Sequence, residues 1–418
     1  VSRPRVVITG MGIFCPTGNT VAEAWANAKA GRSGIGPLTL FDSSLTANKI
    51  AGEVKGFDPE VIMGKKDARR SDRCTHLAVA ASQQALLDSG IVVDASNRDD
   101  IGCIIGSGIG GIQSFAETVM DMATKGHRGV SPLAIPKILI DSASGRVSLE
   151  LGLRGPNMNI TTACATGNNC IGEAAEIIRR GQAEVMLAGA SEAAIVPMAV
   201  AGFNNMKALT HRNDEPQRAS RPFDKDRDGF VPAEGAATLV LESLEHAQAR
   251  GARIYGEVLG YGHTSDAYHP TAPIETGEGA ALAMKKAIKN AGLTPEDIHY
   301  INAHGTSTQL NDSAETRAIK TALGEYAYNV PISSTKSVTG HPLGAAGTIE
   351  AVFCIMALCD QFVPPTINLD HPDPECDLNY VPHVGHAQPL QHVMSNGFGF
   401  GGHNAVIILG RYDEHGRR

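Results

Sequence analysis

The chain has 418 residues, 42% of them hydrophobic, with 46 glycines and a formal net charge of −8. That length suits two or three domains, or one large domain of two similar halves, and the acidity speaks against nucleic acid as the main partner. Eight cysteines with no CxxC pair and no regular framework favour a reducing compartment over a secreted disulfide scaffold.

In chain order, the runs RVVITGMG (5–12), IGCIIGSG (101–108), VMLAGA (185–190), ATLVLES (237–243), HYINAHG (299–305) and AVIILG (405–410) predict strands. Between them HLAVAASQQALLDSG (76–90), ALAMKKAIKNAG (281–292) and SAETRAIKTALG (313–324) predict helices. Strands alternating with helices predict a layered α/β fold with helices over the sheet faces. Residues 211–230 read as a long polar loop, and AVFCIMALC (351–359) reads as too short to span a bilayer. The sequons at Asn159 and Asn311 carry meaning only in a secreted chain.

The segment NITTACATGNNCIG (159–172) surrounds Cys164 with Thr, Ala, Gly and Asn. Downstream, Ile171, Ala174, Ala175 and Ile178 recur at helical spacing and Gly181 is a stop signal. Cys164 is therefore expected at a strand-to-helix turn, where a helix N-terminus favours thiolate and small neighbours leave room for a substrate. A buried structural cysteine is the alternative. Shifting the chain by 173 positions lays Thr162 on Thr335, Cys164 on Ser337, Thr166 on Thr339 and Gly167 on Gly340. The match is short, but it suggests two related halves with two small-residue turns brought together.

Two histidines share such a context. His304 in NAHGTST follows a predicted strand, and His341 in STKSVTGHPLGAAG is expected to open a small-residue helix. A cysteine with two imidazoles can perform acyl transfer, with the imidazoles moving protons or donating to an oxyanion near neutral pH. None of the short ligand spacings of a zinc site is present. SNGFGFGGHN (395–404) alternates glycine and phenylalanine between two strands and could supply an oxyanion donor. GSGIGG (106–111) lacks the register of a dinucleotide fingerprint, and DKDRDGFVPAEG (224–235) places Gly235 where a calcium loop needs its acid. Neither cofactor is expected.

Taken together, TTACATG, NAHGTST, STKSVTGHPLGAAG, RPFDKDRDGFVPAEGA and SNGFGFGGHN, in this order across nearly the whole chain, resemble the elongating 3-oxoacyl-[acyl-carrier-protein] synthases, closest to the β-ketoacyl-ACP synthase II type. The resemblance implies a thiolase-like fold, with two pseudo-symmetric βαβαβ halves in a five-layered α-β-α-β-α core. It places the halves at residues 1–253 and 254–413 and implies a homodimer. It implies Cys164 as nucleophile, His304 and His341 as catalytic histidines, Lys336 as active-site lysine, and Glu350 as the acid near it and a substrate-binding residue. Phe400 would join Cys164 in the oxyanion hole and gate the acyl tunnel. Thr306 and Thr308 would hold the phosphopantetheine arm, with Ile109 and Phe398 at the acyl substrate.

The implied reaction is decarboxylative condensation of acyl-ACP with malonyl-ACP in fatty acid synthesis. It needs no cofactor, because phosphopantetheine arrives on the acyl carrier protein, and no metal, nucleic acid or membrane insertion. The implied location is the cytoplasm, or a plastid stroma or mitochondrial matrix if a transit peptide was removed. A polyketide or specialised-lipid ketosynthase is the alternative pathway. A thiolase would carry a second cysteine in GFGFGG, and an initiating synthase would carry Asn at His341. A chain-length partner subunit would lack Cys164. Departures from the family pattern are Asn168 and Asn169 after the nucleophile's glycine, Pro232-Ala233, Gln309, Gly397 and His403. They bear on acyl preference and not on the reaction.

GKKDARRSDR (64–73) carries Lys65, Lys66, Arg69, Arg70 and Arg73 against Asp67 and Asp72. A solvated helix face is the plain reading of such a run. By resemblance Lys65, Arg69 and Lys207 are the expected docking cations for an acidic carrier.

Overall fold

The computed structural model describes residues 4–413. In the N-terminal half, strand β1 (Val6–Phe14) is followed by helix α1 (Arg73–Ser89), β2 (Ile101–Gly106) and α2 (Ser142–Leu151). Then come β3 (Asn157–Met158), α3 (Thr166–Arg179), β4 (Val185–Glu192) and β5 (Gly235–Ser243). The C-terminal half repeats the plan with β6 (Gly256–Ser265), α4 (Glu278–Ala291), β7 (Tyr300–Asn302), α5 (Gln309–Leu323) and β8 (Ile332–Ser333). It ends with α6 (Ala346–Asp360), β9 (His392–Gly399) and β10 (His403–Gly410).

Hydrogen bonding links the strands in the order β8-β7-β9-β10-β6-β1-β5-β4-β2-β3. Outward from the β1–β6 seam both halves read identically: two antiparallel neighbours, then two parallel ones. The seam itself is a short antiparallel contact, Val7 opposite Glu257 and Ile8 opposite Gly256. Helices α3 and α6 lie between the two half-sheets, α1 and α2 cover the outer N-terminal face, and α4 and α5 cover the outer C-terminal face. This is the five-layered thiolase-like core.

The outer helices seat by the same device in both halves. A Cβ on Gly12 would meet the Ala81 carbonyl at 2.0 Å, and one on Gly262 would meet the Ala283 carbonyl at 2.2 Å. Glycine alone lets strand and helix backbones approach so closely. The middle layer is the apolar heart of the molecule, where Ile171, Ala174, Ile178, Val352, Phe353 and Ile355 are fully buried.

Three expectations need correction. Leu343–Asp360 is one helical run of 18 residues with mean hydropathy 1.6, long and apolar enough to cross a membrane. Length therefore does not set it aside; its position does, since 83% of it is buried as the central core helix. Residues 211–230 form a loop but not a solvated one: Arg221, Phe223, Asp224, Arg227 and Phe230 are buried. Arg227 pairs with Asp373 at 2.6 Å and donates to the carbonyls of Asp224, Thr308 and Gln309. The run of charge in this loop is an internal brace beneath the Thr306–Gln309 segment. Finally, His341 stands two residues before the helical run that begins at Leu343, and not within it. Lys336–Thr339 is a single turn ended by Gly340 at φ 72°, and α6 begins at Ala346.

Candidate active site

Ala163, at φ 49°, throws the chain into the tight turn between β3 and α3 that presents Cys164. Thr166 Oγ1 accepts the Thr162 N–H at 2.9 Å, closing the turn on the first residue of the helix. On the opposite side, β9 ends at Gly399, where a Cβ would meet the Thr162 carbonyl at 2.6 Å and the Cys164 nitrogen at 2.9 Å. This close approach brings the Phe400 N–H onto the Cys164 sulfur beside the N–H of Cys164 itself. Two backbone donors thus converge where an oxyanion would form.

Burial pushes the Cys164 thiol up to about 12, against the opposing influence of Lys336 and the two N–H groups. The thiolate expected from the helix N-terminus is thereby corrected. Desolvation of Cys164, a residue only 7% exposed, outweighs the dipole and favours the thiol at rest.

His341 Nε2 lies 3.1 Å from Cys164 Sγ. The His304 ring meets the His341 ring edge-on at 5.3 Å between centroids, and Phe398 and Phe230 flank the pair. Burial, and then the charge of Lys336, hold both imidazoles well below their ordinary pKa, so both are neutral at pH 7. Each Nδ1 is buried without a hydrogen-bond partner among the described residues, so only the Cys164 contact biases a tautomer, toward Nδ1–H of His341 when the thiol donates. Either ring can accept a proton or donate one.

Lys336 is buried and bonded through Nζ to Glu350. Burial raises the Glu350 carboxyl to about 7, opposed by Lys336. Neither residue lines the cavity. The expectation that Glu350 touches substrate is corrected accordingly, because its place on α6 turns it toward the lysine.

The cavity beside Cys164 has a volume of about 500 Å³. Ile109, Phe203 and Leu343 form its apolar wall, Phe398 and Phe400 border it, and Thr306, Thr308 and exposed Lys207 stand along it. Thr306 and Thr308 share a hydrogen bond of 2.9 Å. Lys65 and Arg69 are exposed on and just after the separate helix Pro59–Ala68, away from the cavity wall. Arg73 drops out of the basic run. It is ion-paired with buried Glu234 at 2.6 Å, and Asp72 caps α1.

Two buried carboxylates escaped the sequence reading. Glu315 on α5 accepts the backbone N–H groups of His304 and Gly305, each at 2.8 Å, and the Asn396 amide at 3.0 Å. It fixes the histidine loop. Glu192 at the end of β4 accepts from Ser107 and from the N–H groups of Gly108, Ile109 and Gly344 at 2.8 to 3.2 Å. It ties the acyl-side wall of one half to the other, and burial raises its carboxyl to about 7. The sequence shows Glu192 only as one more acid ending an apolar run and Glu315 only as a helix acid near Asp312, and neither pattern separates a buried carboxylate from an exposed one.

The site also offers cation donors. The ligand atoms of Cys164, His304 and His341 lie within 4.8 Å of one another. Asn302 Oδ1, Asn396 Oδ1 and Glu350 Oε2 are buried oxygens without hydrogen-bond partners among the described residues, the donor type a hard cation takes. Asp224, Asp226 and His371 also group together. There Asp224 is already occupied by Arg221 and the N–H groups of Asp226, Asp370 and His371.

On this doubled α/β fold, a buried thiol, two neutral imidazoles and paired backbone donors define a thiol-dependent acyl-transfer site. The family is given by the match of residues 3–247 to the β-ketoacyl synthase N-terminal domain and of 255–370 to its C-terminal domain. The chain belongs to the β-ketoacyl synthase family. It is 51% identical to the 3-oxoacyl-[acyl-carrier-protein] synthase 2 of Synechocystis sp., over 99% of both chains. It is also 51% identical to the synthase of the same name from Vibrio cholerae, over 98% of this chain and 100% of the relative. Among solved structures, a β-ketoacyl synthase from Burkholderia phymatum matches with TM-score 0.91 at 38% identity, covering 98% of this chain and 100% of that one. A type II polyketide ketosynthase in complex with its acyl-carrier protein matches with TM-score 0.90 at 36% identity, covering 99% and 100%.

Proposed function

We propose that this chain elongates acyl groups in fatty acid biosynthesis by condensing acyl-ACP with malonyl-ACP to 3-oxoacyl-ACP. The observation that carries this reading is His341 Nε2 at 3.1 Å from the Cys164 thiol, with His304 beside it and an apolar cavity alongside. The Cys164 thiol attacks the acyl thioester as its proton passes to His341. The tetrahedral oxyanion rests on the N–H groups of Cys164 and Phe400, and the departing pantetheine thiolate takes up the proton.

Once sulfur is acylated, His341 has lost its thiol partner and is free to act as donor. Malonyl-ACP then loses CO₂, the bond's electrons pass into an enolate, and His304 and His341 donate to its oxygen. The enolate carbon attacks the acyl-Cys164 carbonyl. Collapse releases 3-oxoacyl-ACP and the Cys164 thiolate, and a solvent proton restores the thiol. Burial keeps both histidines in the neutral form this chemistry needs, and the charge of Lys336, acting from behind the wall, adds to it.

Phosphopantetheine belongs to the carrier substrate, and this reading assigns no resident cofactor. The rival use of Cys164, His304 and His341 is a zinc site. The buried Lys336 cation, which already disfavours imidazolium, opposes a dication there too. Dialysis against EDTA is expected to leave activity intact.

Thr306 and Thr308 suit the polar arm of the carrier, and Lys65, Arg69 and Lys207 its acidic surface. The chain works as a homodimer in this reading, with its eight free cysteines suiting a reducing compartment such as the cytoplasm. Support for a second copy is the sheet's open edge at β3, where Met158 is exposed near exposed Ile140, and the apolar face of Ile112–Lys125 with Phe115, Val119 and Met122 uncovered. Incubation with a panel of acyl-ACPs, followed by intact-protein mass spectrometry, tests the central claim. A mass increase of one acyl group that is absent in Cys164→Ala is expected. A polyketide pathway would show as a preference for oxidised or branched acyl groups over saturated ones.

A further inference from the structure

Asn169 stands five residues after the nucleophile, buried within α3. Both ends of its amide are used. Its Oδ1 accepts from Thr162 Oγ1 at 2.7 Å, and its Nδ2 donates to the Tyr261 hydroxyl at 2.6 Å. Tyr261 is on β6, in the other half of the molecule, and is itself buried.

Its ring is locked from both sides. It stacks on His263 at 5.0 Å with an interplanar angle of 13°, and it lies so close to α3 that a Cβ on Gly172 would meet it at 2.4 Å. The Tyr261 N–H is tied to Asn290 on α4 at 3.1 Å. Burial, and then the Glu173 carboxylate beside it, disfavour ionisation of the hydroxyl.

A rigid point in the C-terminal half therefore holds Asn169, and Asn169 holds Thr162, two residues before Cys164. Between Thr162 and Cys164 stands Ala163 at φ 49°, a conformation a non-glycine residue keeps only under restraint. We propose that Asn169, oriented by Tyr261, is a positioning residue for the nucleophile. Through Thr162 it holds the Ala163 turn so that the thiol faces His341 and the Cys164 N–H faces the oxyanion. Neighbouring Asn168 has a different task. Its amide bridges the carbonyls of Ser395 and Ala405 on the phenylalanine hairpin, each at 3.0 Å. Gly397 leaves it room, since a Cβ there would lie 3.2 Å from the Asn168 nitrogen.

The inference rests on acylation of Cys164, and the test separates the two. Asn169→Leu keeps the shape and removes both hydrogen bonds. Tyr261→Phe keeps the ring and removes one. Asn169→His restores one donor and one acceptor. Pre-steady-state acylation by acyl-ACP is expected to fall about tenfold in Asn169→Leu, less in Tyr261→Phe, and to recover in Asn169→His. Malonyl-ACP decarboxylation, which depends on the histidines and not on the turn, is expected to stay within about twofold in all three.

Unchanged acylation in Asn169→Leu overturns the proposal. So does a parallel loss of acylation and decarboxylation, which marks a purely structural role. If Asn169→Leu fails to fold, Tyr261→Phe decides by the same split. If the parent protein itself is not acylated at Cys164, the functional reading fails instead.

Discussion

The turn before α3 and the turn before α6 occupy the same place in two halves with the same strand order, yet they do opposite things. In the first half the chain runs from Cys164 straight into a long helix. In the second, Gly340 breaks the chain after one turn, so Lys336 is carried into the interior and His341 is thrown across to Cys164. Ser337, which aligns with Cys164, is fully buried, and its hydroxyl accepts the Ile367 N–H at 3.1 Å. Duplication has therefore produced one composite site and not two. The first half keeps the nucleophile, and the second supplies the groups that move its proton and stabilise charge.

That division is tested most severely by Cys164→Ala. Condensation is expected to fall by about 10³-fold or more, because no other group of the first half can carry the acyl chain. Malonyl-ACP decarboxylation, a task of the second half, should persist. Release of labelled CO₂ measured beside product formation checks both; if they are lost together, the halves do not divide the chemistry.

The histidines sharpen the contrast. His304→Ala and His341→Ala should each reduce decarboxylation about 10²- to 10³-fold, the usual loss for one preorganised donor. Only His341→Ala should also slow acylation, since only His341 touches the thiol. The pH dependence has a definite sign. Both imidazoles are held well below their ordinary pKa, so acidification to pH 6 should not protonate them. The decarboxylation profile is expected to be flat from pH 8 to 6, and an inflection near 6.5 would contradict the buried neutral pair.

The Lys336–Glu350 pair exists in the second half alone, and its loss should register in stability. Removing one partner of a buried pair typically costs about 3–5 kcal/mol. Glu350 moderates this by protonating. Its folded pKa, near 7, lies above the ordinary value of 4.5. The folded state thus binds that proton more tightly than the unfolded chain, and the group's contribution to stability falls as pH rises through that window. Lys336→Met should accordingly destabilise more at pH 8 than at pH 6 in chemical denaturation. Lys336→Met combined with Glu350→Gln should recover part of the loss.

The sequence was a good guide to the composite site and a poor one to its scaffold, for physical reasons. Cys164, His304, His341 and Phe400 stand in small-residue segments that nothing but close approach explains, and the structure gathers them. The repeat was faint because no single shift aligns the halves. The turns correspond at 173 positions, whereas Gly12 of β1 answers to Gly262 of β6 at 250. Strand β6 was missed because its glycines interrupt the apolar run where α4 presses on it. Glu192, Glu315 and Arg227 were illegible because a buried charge is indistinguishable from a surface one until its partners are in place. The thiolate expectation failed similarly: a helix start is local information, and burial is not.

The mildest expected effect concerns what each half offers a carrier. The second half offers uncharged Thr306 and Thr308 at the cavity, and the first offers exposed cations. With Arg73 bound to Glu234, and Asp67 partnered by Arg146 at 3.3 Å and by Arg70 at 3.9 Å, the cations of the basic segment left facing solvent are Lys65, Lys66 and Arg69, with Lys207 at the cavity itself. Exposed charges of this kind steer an acidic partner and are screened by salt. Charge reversal at Lys65 and Arg69 should therefore raise KM for acyl-ACP several-fold at low ionic strength, with the difference shrinking as salt is added. Turnover of a small acyl-pantetheine surrogate, which needs only the threonines and the cavity, should hardly change. Equal losses on both substrates would mean that the helix supports the fold. No loss on either would place the carrier on another surface, and the first half would then contribute the nucleophile without the docking face.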